Sequence, residues 1–300
     1  MSAISPEILR QVKRIELRTR GLVNSRFVGE YHSVFKGQGM EFSEVREYQP
    51  GDEVRTVDWN VSARMRKLFV KRYVEEREIT VLLIVDCSGS SRFGTGERDK
   101  QAMAAELAAV LALTATRNND RVGLLLCSDR IEHIVPPRKG RRHALRLVRD
   151  VLAWPSTSRR TDLAVALDWA ARVLNHRSIV FVISDFVTPP IERPLKLLSQ
   201  RHDLVAVVLD DPGERLLPDL GVVRLVDAET QVLVEIDTSA AAVRDRYGKA
   251  LVAERGARQQ LLRRLAIDEV LVRTERGYAE PLLRFFNTRE ARGRMGASRR

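Results

Sequence analysis

Apolar runs alternate with helical patterns along the chain after residue 78. The clearest run, Ile79–Val85, is apolar almost throughout, as expected for a strand buried on both faces of a sheet. Further strands are predicted over 122–127, 131–135, 178–183, 204–209 and 269–272, with a hairpin over 222–225 and 231–236. Helices are predicted over 99–117, 141–153, 162–175, 191–200 and 240–265, with a last helix from 279. This alternation predicts a doubly wound α/β fold with a mostly parallel sheet.

The first 78 residues follow a different pattern. Apolar residues at helical spacing, Ile8, Val12 and Ile15, predict an N-terminal helix. The segment that follows lacks long helical periodicity and is interrupted by glycines. Short β-prone pieces occur in it at 41–48, 54–59 and 68–74. The predicted organisation is an N-terminal helix over 1–23, a β-rich extension over 24–78, an α/β domain over 79–288 and a basic tail over 289–300.

Most of the net positive charge lies at the C-terminal end of the chain. The chain has a formal net charge of +11 and a pI of about 10.1. Residues 81–237 are balanced, whereas residues 238–300 carry +8. We expect the basic end to be a solvated tail. Weak contact with nucleic acid or with an anionic membrane surface is the alternative.

Hydropathy and cysteine content narrow the class of protein. No uninterrupted apolar run in the sequence approaches the roughly 20 residues that cross a bilayer. The N-terminus lacks a signal-peptide pattern, so we expect a cytoplasmic protein without a transmembrane segment. The 2 cysteines and 5 histidines show no zinc-ligand spacing, which disfavours a zinc hydrolase.

Polar residues follow the most apolar predicted strand. Asp86, Ser88 and Ser90 form a D-x-S-x-S pattern directly after it. In an extended chain, side chains two apart point the same way, so the three oxygen groups can converge. Oxygen ligands without Cys or His suit Mg²⁺, Mn²⁺ or Ca²⁺. The pattern therefore predicts a cation site at the carboxyl edge of the sheet, where α/β proteins bind ligands.

Two later loops carry similar groups to the same edge. Thr161 precedes the helix predicted from residue 162, and Asp185 follows the strand predicted over 178–183. The three loops together supply three hydroxyls and two carboxylates. Ser, Thr and Asp also serve as ordinary helix caps and turn residues, and Asp162 is a natural N-cap.

These residues resemble a known constellation. In order and rough spacing, Asp86, Ser88, Ser90, Thr161 and Asp185 resemble the metal-ion-dependent adhesion site of von Willebrand factor type A domains. The upstream runs 31–42 (YHSVFKGQGMEF), 46–55 (REYQPGDEVR) and 57–64 (VDWNVSAR) resemble the bacterial domain of unknown function 58 family. The resemblance covers about 25–290. One difference is Ser91, where many members have Met, at a position that should not ligate the metal.

The resemblance implies a metal-dependent adaptor. It implies direct ligation of Mg²⁺ by Ser88, Ser90 and Thr161, with Asp86 and Asp185 holding coordinating waters. An acidic side chain of a partner protein then completes the site. The implied partner is a MoxR-type AAA+ ATPase or its client, because members are often encoded beside such an ATPase. The resemblance implies that the pair acts as a metal-dependent chaperone or assembly system for other proteins.

The residue chemistry agrees with that implication. Hydroxyl ligands are neutral, so a divalent cation held by them keeps much of its charge and attracts a further carboxylate. Arg159 and Arg160 flank Thr161 and either attract an acidic partner or are plain solvated surface. Asp52, Arg55, Asp58, Trp59 and Arg64 of the upstream runs form either an internal ion-pair network or part of a partner surface.

Two other function classes compete with the adaptor. A Mg²⁺-dependent phosphatase or nuclease suits the charge, but such enzymes use several carboxylates and a base, and no histidine is near the three loops. We therefore expect no enzyme activity. A basic nucleic-acid-binding module is the other alternative, but the chain has no recognisable reader motif. It also has no G-x-x-x-x-G-K-[ST] loop for ATP.

Overall fold

A computed structural model describes residues 6–23, 27–35, 41–74 and 78–297. Residues 1–5, 24–26, 36–40, 75–77 and 298–300 lie outside the described residues, and they include parts of the predicted N-terminal segment, of the 31–42 run and of the basic tail. The helices are α1 (Pro6–Leu22), α2 (Val28–Phe35), α3 (Trp59–Met65), α4 (Lys100–Arg117), α5 (Arg141–Ala153), α6 (Leu163–Val173), α7 (Glu192–Arg201), α8 (Ala241–Arg264) and α9 (Ala279–Ala297).

The strands form one six-stranded sheet and two separate two-stranded antiparallel sheets. They are β1 (Glu41–Glu47), β2 (Phe69–Val74), β3 (Thr80–Asp86), β4 (Arg121–Cys127), β5 (Ile131–Arg138), β6 (Ile179–Ser184), β7 (Asp203–Asp210), β8 (Val222–Val226), β9 (Leu233–Asp237) and β10 (Asp268–Arg273). The large sheet has the order β10-β7-β6-β3-β4-β5, and only β5 runs antiparallel to its neighbour. The predicted mostly parallel α/β fold is confirmed.

The central strand β3 is buried on both faces because its side chains alternate between two cores. Val81, Leu83 and Val85 belong to the cluster that includes residues of α1, α4, α5 and α9. Leu82 and Ile84 belong to the cluster that includes residues of α6, α7 and α8. This two-sided burial explains the continuous apolar run in the sequence.

The strand order reverses next to β3. The chain leaves β3 through α4 and forms β4 on one side, whereas β6, β7 and β10 extend the sheet on the other side. In open α/β sheets, ligands bind beyond the carboxyl ends of strands at such a reversal. The loops after β3 and β6 therefore lie where a functional site is expected.

The extension between α1 and the sheet is mixed rather than purely β-rich. β1 and β2 pair as a two-stranded antiparallel sheet, which confirms the strand pieces predicted at 41–48 and 68–74. The prediction of a strand over 54–59 is wrong. Residues Val54–Thr56 form a 3-10 turn, and the Asp58 carboxylate caps α3 by accepting from the backbone N–H groups of Asn60 and Val61. An aspartate at this position favours a helix start over a strand.

The proposed five-residue ion-pair network in the extension does not form within the described residues. Asp52 accepts two hydrogen bonds from the Arg46 guanidinium, at 2.7 and 2.9 Å. Trp59 is 63% exposed, and Arg55 and Arg64 are also exposed. Three of the five residues therefore face solvent.

The predicted tail begins too early, because α9 continues to Ala297. The Arg289 side chain is only 21% exposed, pairs with Asp203, and lies 2.9 Å from the Asp268 carboxylate. Its guanidinium also lies 5.1 Å from the ring centroid of Phe35 on α2. Arg289 thus belongs to a packed interface.

None of the helices in the described parts of the chain has an apolar stretch long enough to span a membrane.

Candidate functional site

The loop after β3 folds its polar groups back on the strand end. The backbone N–H of Ser88 donates to Asp86 Oδ1 at 2.9 Å, and this bond turns the chain immediately after the strand. A short 3-10 turn over Gly89–Arg92 follows. It brings Ser88 Oγ and Ser90 Oγ to 3.2 Å from each other. Asp86 and Ser88 are buried, and Ser90 is half-buried.

The loop after β6 joins the same cluster. Ser184 Oγ donates to Asp86 Oδ2 at 2.7 Å and accepts from the backbone N–H of Phe186 at 3.0 Å. Phe186 has a positive φ of 61°, so the chain turns sharply just after Asp185. Asp185 is buried and its Oδ1 accepts from the backbone N–H of Val187 at 3.1 Å. The two strand ends are thus joined through a serine hydroxyl.

The loop before α6 provides the third part of the site. The backbone N–H of Gly89 donates to Arg159 O at 2.8 Å, which fixes this loop against the 3-10 turn. Thr161 is buried, and its hydroxyl donates to Glu229 Oε1 at 2.5 Å. Asp162 serves as the N-cap of α6 and accepts from the backbone N–H of Ala164 at 3.0 Å, so its role is structural.

A buried lysine lies beside the candidate site. Lys100, the first residue of α4, is 1% exposed, and its Nζ lies 2.8 Å from Asp185 Oδ2 and 2.5 Å from Glu214 Oε1. Burial acts to lower the pKa of Lys100, but the two carboxylates outweigh it and raise that pKa. The ammonium therefore stays charged and offsets part of the local negative charge.

Burial and a neighbouring charge also shift the pKa of Asp86. Burial raises the pKa of Asp86 to about 6, and the neighbouring Asp185 carboxylate adds to the rise. Hydrogen bonds from Ser184 and Ser88 oppose it. Two carboxylates that disfavour each other's charge in a buried site are stabilised by a cation between them. Lys100 contacts only Asp185 of this pair within the described residues.

The donor set fits a hard divalent cation. Neighbouring oxygens around Mg²⁺ lie about 3.0 Å apart when each is about 2.1 Å from the ion, and the two serine oxygens are 3.2 Å apart. Within the described residues, no group of three or more His, Cys, Asp or Glu side chains is arranged to hold a metal. Three of the five predicted site residues, Ser88, Ser90 and Thr161, offer hydroxyls.

The five predicted metal-site residues lie on three adjoining loops. The two arginines predicted to bind a partner, Arg159 and Arg160, point their side chains to solvent instead. Arg159 contributes its backbone carbonyl to Gly89, and the side chains of Arg159 and Arg160 are exposed. Neither guanidinium forms an ion pair with another described residue. Metal binding by the five residues and partner binding by the two arginines stay predictions.

The sequence pattern missed four residues at the site, namely Ser184, Lys100, Glu214 and Glu229. Ser184 is next to Asp185 in the sequence, so its position at a strand end was the available signal. Lys100 is 85 residues from Asp185, and Glu229 is 68 residues from Thr161. No local pattern links such distant residues, because only the tertiary fold brings them together.

The fold and these loops define an α/β protein with an oxygen-rich candidate cation site at the carboxyl edge of its sheet. The chain matches the family described as protein of unknown function DUF58 over residues 44–257, and it belongs to that family. It is 32% identical over 287 residues to uncharacterized protein Rv1480 of Mycobacterium tuberculosis, an alignment that covers 95% of this chain and 90% of the relative.

Two solved structures match this chain at low sequence identity. Protein BatB from Bacteroides thetaiotaomicron is 13% identical with a TM-score of 0.46. An aerotolerance-related membrane protein from Bacteroides fragilis is 13% identical with a TM-score of 0.49. Each similarity covers 71% of this chain and 99% of the other chain.

Proposed function

We propose that this protein is a metal-dependent protein-interaction adaptor without catalytic activity of its own. Ser88, Ser90 and Thr161 are the proposed direct ligands of Mg²⁺, and Asp86 and Asp185 are the proposed holders of coordinating waters. The ion supplies an electrophilic position that attracts a carboxylate. The single observation that supports this proposal is the convergence of hydroxyls and two mutually repelling buried carboxylates beyond β3 and β6.

The chemistry of the donors favours binding over hydrolysis. Metal-dependent hydrolases commonly grip their ions with several carboxylates and place a base beside the reacting water. In the described parts of this chain, the candidate donors are mainly hydroxyls, and His133 and His143 are engaged elsewhere, with Asp150 and the Val122 carbonyl. A neutral hydroxyl set leaves the ion with charge for an acidic side chain of a partner.

The pairing of the basic C-terminal segment argues against a nucleic-acid module. Arg255 pairs with Asp210, and Arg289 pairs with Asp203. Arg264 pairs with Glu192. These three carboxylates come from the balanced part of the chain, so each offsets one positive charge of the basic segment. A surface that binds nucleic acid needs cations free to contact phosphates.

The proposed partner is a MoxR-type AAA+ ATPase or its client, within a system that assembles or chaperones other proteins in the cytoplasm. The family resemblance supplies this class of partner. A carboxylate on the partner is the group that the open metal position selects. Arg159 and Arg160, which are exposed beside Thr161, add attraction for an acidic surface.

The test is affinity capture with the purified cognate ATPase in Mg²⁺ and in EDTA. We expect capture by the wild type in Mg²⁺ only, and loss of capture by Asp86→Ala. Asp245→Ala is the matched control, because Asp245 is an exposed carboxylate on α8. Capture that is equal in EDTA and in Asp86→Ala contradicts the metal-dependent mechanism. Phosphodiesterase activity of the purified chain contradicts the non-enzymatic role.

A further inference from the structure

The turn between β8 and β9 lies directly on the candidate metal site. This hairpin is separate from the six-stranded sheet, yet its turn residue Glu229 reaches Thr161 across 68 residues of sequence. Glu229 Oε1 accepts the hydrogen bond from the Thr161 hydroxyl at 2.5 Å. A carboxylate of this chain therefore lies beside one of the proposed ligands of the metal.

The hairpin turn also contacts the backbone of the serine loop. A Cβ added to Gly89, between Ser88 and Ser90, would lie 2.2 Å from the carbonyl oxygen of Ala228 and 3.2 Å from that of Arg159. Gly89 has no positive φ, so the close approach of Ala228 is what requires a glycine here. The turn is thus seated on the loop that carries two of the proposed ligands.

The turn is held together by hydrogen bonds within it, whereas the strands behind it expose apolar side chains. Asp227 Oδ1 accepts from the backbone N–H groups of Glu229 and Thr230, at 3.0 and 2.6 Å, which holds the backbone of the turn in place at Glu229. The strands expose Val222 and Leu233 to solvent. A two-stranded hairpin of this kind is only marginally stable by itself, so contacts made by its turn contribute a large share of its attachment.

We propose that Glu229 is an internal carboxylate ligand of the metal site, and that the β8–β9 hairpin closes this site against an acidic partner. The inference rests on the proposed function and adds a regulatory element to it. A partner carboxylate and Glu229 compete for one position. The affinity for the partner is therefore reduced by the fraction of molecules in which the hairpin is closed.

The geometry permits Glu229 to be a ligand beside Thr161. Two neighbouring ligand oxygens around Mg²⁺ are about 3.0 Å apart, and the oxygens of Glu229 and Thr161 are 2.5 Å apart, so a small shift suffices. With three hydroxyls and Glu229 as ligands, a six-coordinate ion keeps about two waters. Removing Glu229 opens one further position for water.

The number of waters bound to the metal can be measured by water-proton relaxation with Mn²⁺ in place of Mg²⁺. We expect the relaxivity of the Mn²⁺-bound protein to rise about 1.5-fold in Glu229→Ala, because about three waters replace about two. Glu235→Ala is the control, since it removes a carboxylate from the same hairpin that pairs with Arg224 instead. Acetate, used as a carboxylate probe, should lower the relaxivity of Glu229→Ala at concentrations that leave the wild type unchanged.

The outcomes separate this inference from the proposed function. If Mn²⁺ binds and is lost in Asp86→Asn, but the wild type and Glu229→Ala have equal relaxivity, the internal ligand is wrong and the metal site stands. If Mn²⁺ binding does not depend on Asp86, the proposed site and the internal ligand are both wrong.

Hydrogen exchange in EDTA checks the contact between Glu229 and Thr161 without the metal. Residues 222–237 should exchange faster in Glu229→Ala than in Glu235→Ala, and equal rates contradict a closed hairpin.

Discussion

Lys100 Nζ lies 2.8 Å from Asp185 Oδ2, so the loop after β6 is tied by a buried ion pair to the first turn of α4. The same ammonium lies 2.5 Å from Glu214 Oε1. Breaking a buried pair by removing one partner leaves an uncompensated charge and costs about 3–5 kcal/mol. The lysine is therefore a structural cation beside the candidate site for a second cation.

Replacing Lys100 tests this arrangement. We expect Lys100→Met to lower the free energy of unfolding by about 3–5 kcal/mol, because Asp185 and Glu214 lose their buried cation. Mg²⁺ should restore more stability to this variant than to the wild type, since the variant site is more negative. Urea unfolding with Mg²⁺ and with EDTA measures both effects. Lys249→Met, at an exposed position of α8, should change neither.

Metal binding should stabilise the wild type through Asp86. A ligand that binds only the folded state at 100 times its dissociation constant adds about 2.7 kcal/mol. Asp86→Asn keeps an oxygen that accepts from the Ser88 N–H and removes a buried charge next to Asp185. We expect this variant to be at least as stable as the wild type in EDTA and to gain nothing from Mg²⁺. Thermal unfolding checks this, and an equal gain in both proteins contradicts the site.

Much of the fold and the five candidate donors could be predicted from local sequence. The continuous apolar run of β3 and the alternation of strands and helices determine a buried parallel sheet, and the sheet places Asp86 and Asp185 at one edge. Lys100 and Glu229 could not be predicted, because their partners are 85 and 68 residues away. Local chemistry also overrode propensity at 54–59, where the Asp58 cap begins a helix.

The predicted start of the basic tail is corrected by the packing of Arg289, and this has a testable consequence. Removing its side chain breaks contacts with Asp203, Asp268 and the Phe35 ring. We expect Arg289→Ala to lower the free energy of unfolding by about 2–4 kcal/mol, because partly buried Asp203 loses its cation and Asp268 keeps only the exposed Arg292. Arg284→Ala should cost under about 1 kcal/mol, since Arg284 and Glu280 form an exposed pair. Urea unfolding compares the two variants.

Deleting residues 289–300 would therefore alter the packing of α9 and the positive charge of the chain at the same time. Loss of partner binding after this deletion would follow from weakened packing of α9 as well as from loss of positive charge. Arg292→Ala gives a cleaner comparison, because the Arg292 side chain is 67% exposed. If Arg292→Ala alone abolished capture of the ATPase while Mg²⁺ binding stayed intact, the basic end and not the metal site would be the docking surface.

Thr161 separates the role of a hydroxyl from that of side-chain volume. Thr161→Val preserves shape at this buried position but removes both the proposed ligand oxygen and the donor to Glu229. We expect this substitution to weaken Mg²⁺ binding by about tenfold or more. Thr161→Ser keeps the oxygen and should stay within about threefold of the wild type, because only a methyl group is lost. Calorimetric titration with Mg²⁺ measures both affinities. A Val variant that binds like the wild type would show that Thr161 serves the hairpin contact alone and would remove it from the ligand set.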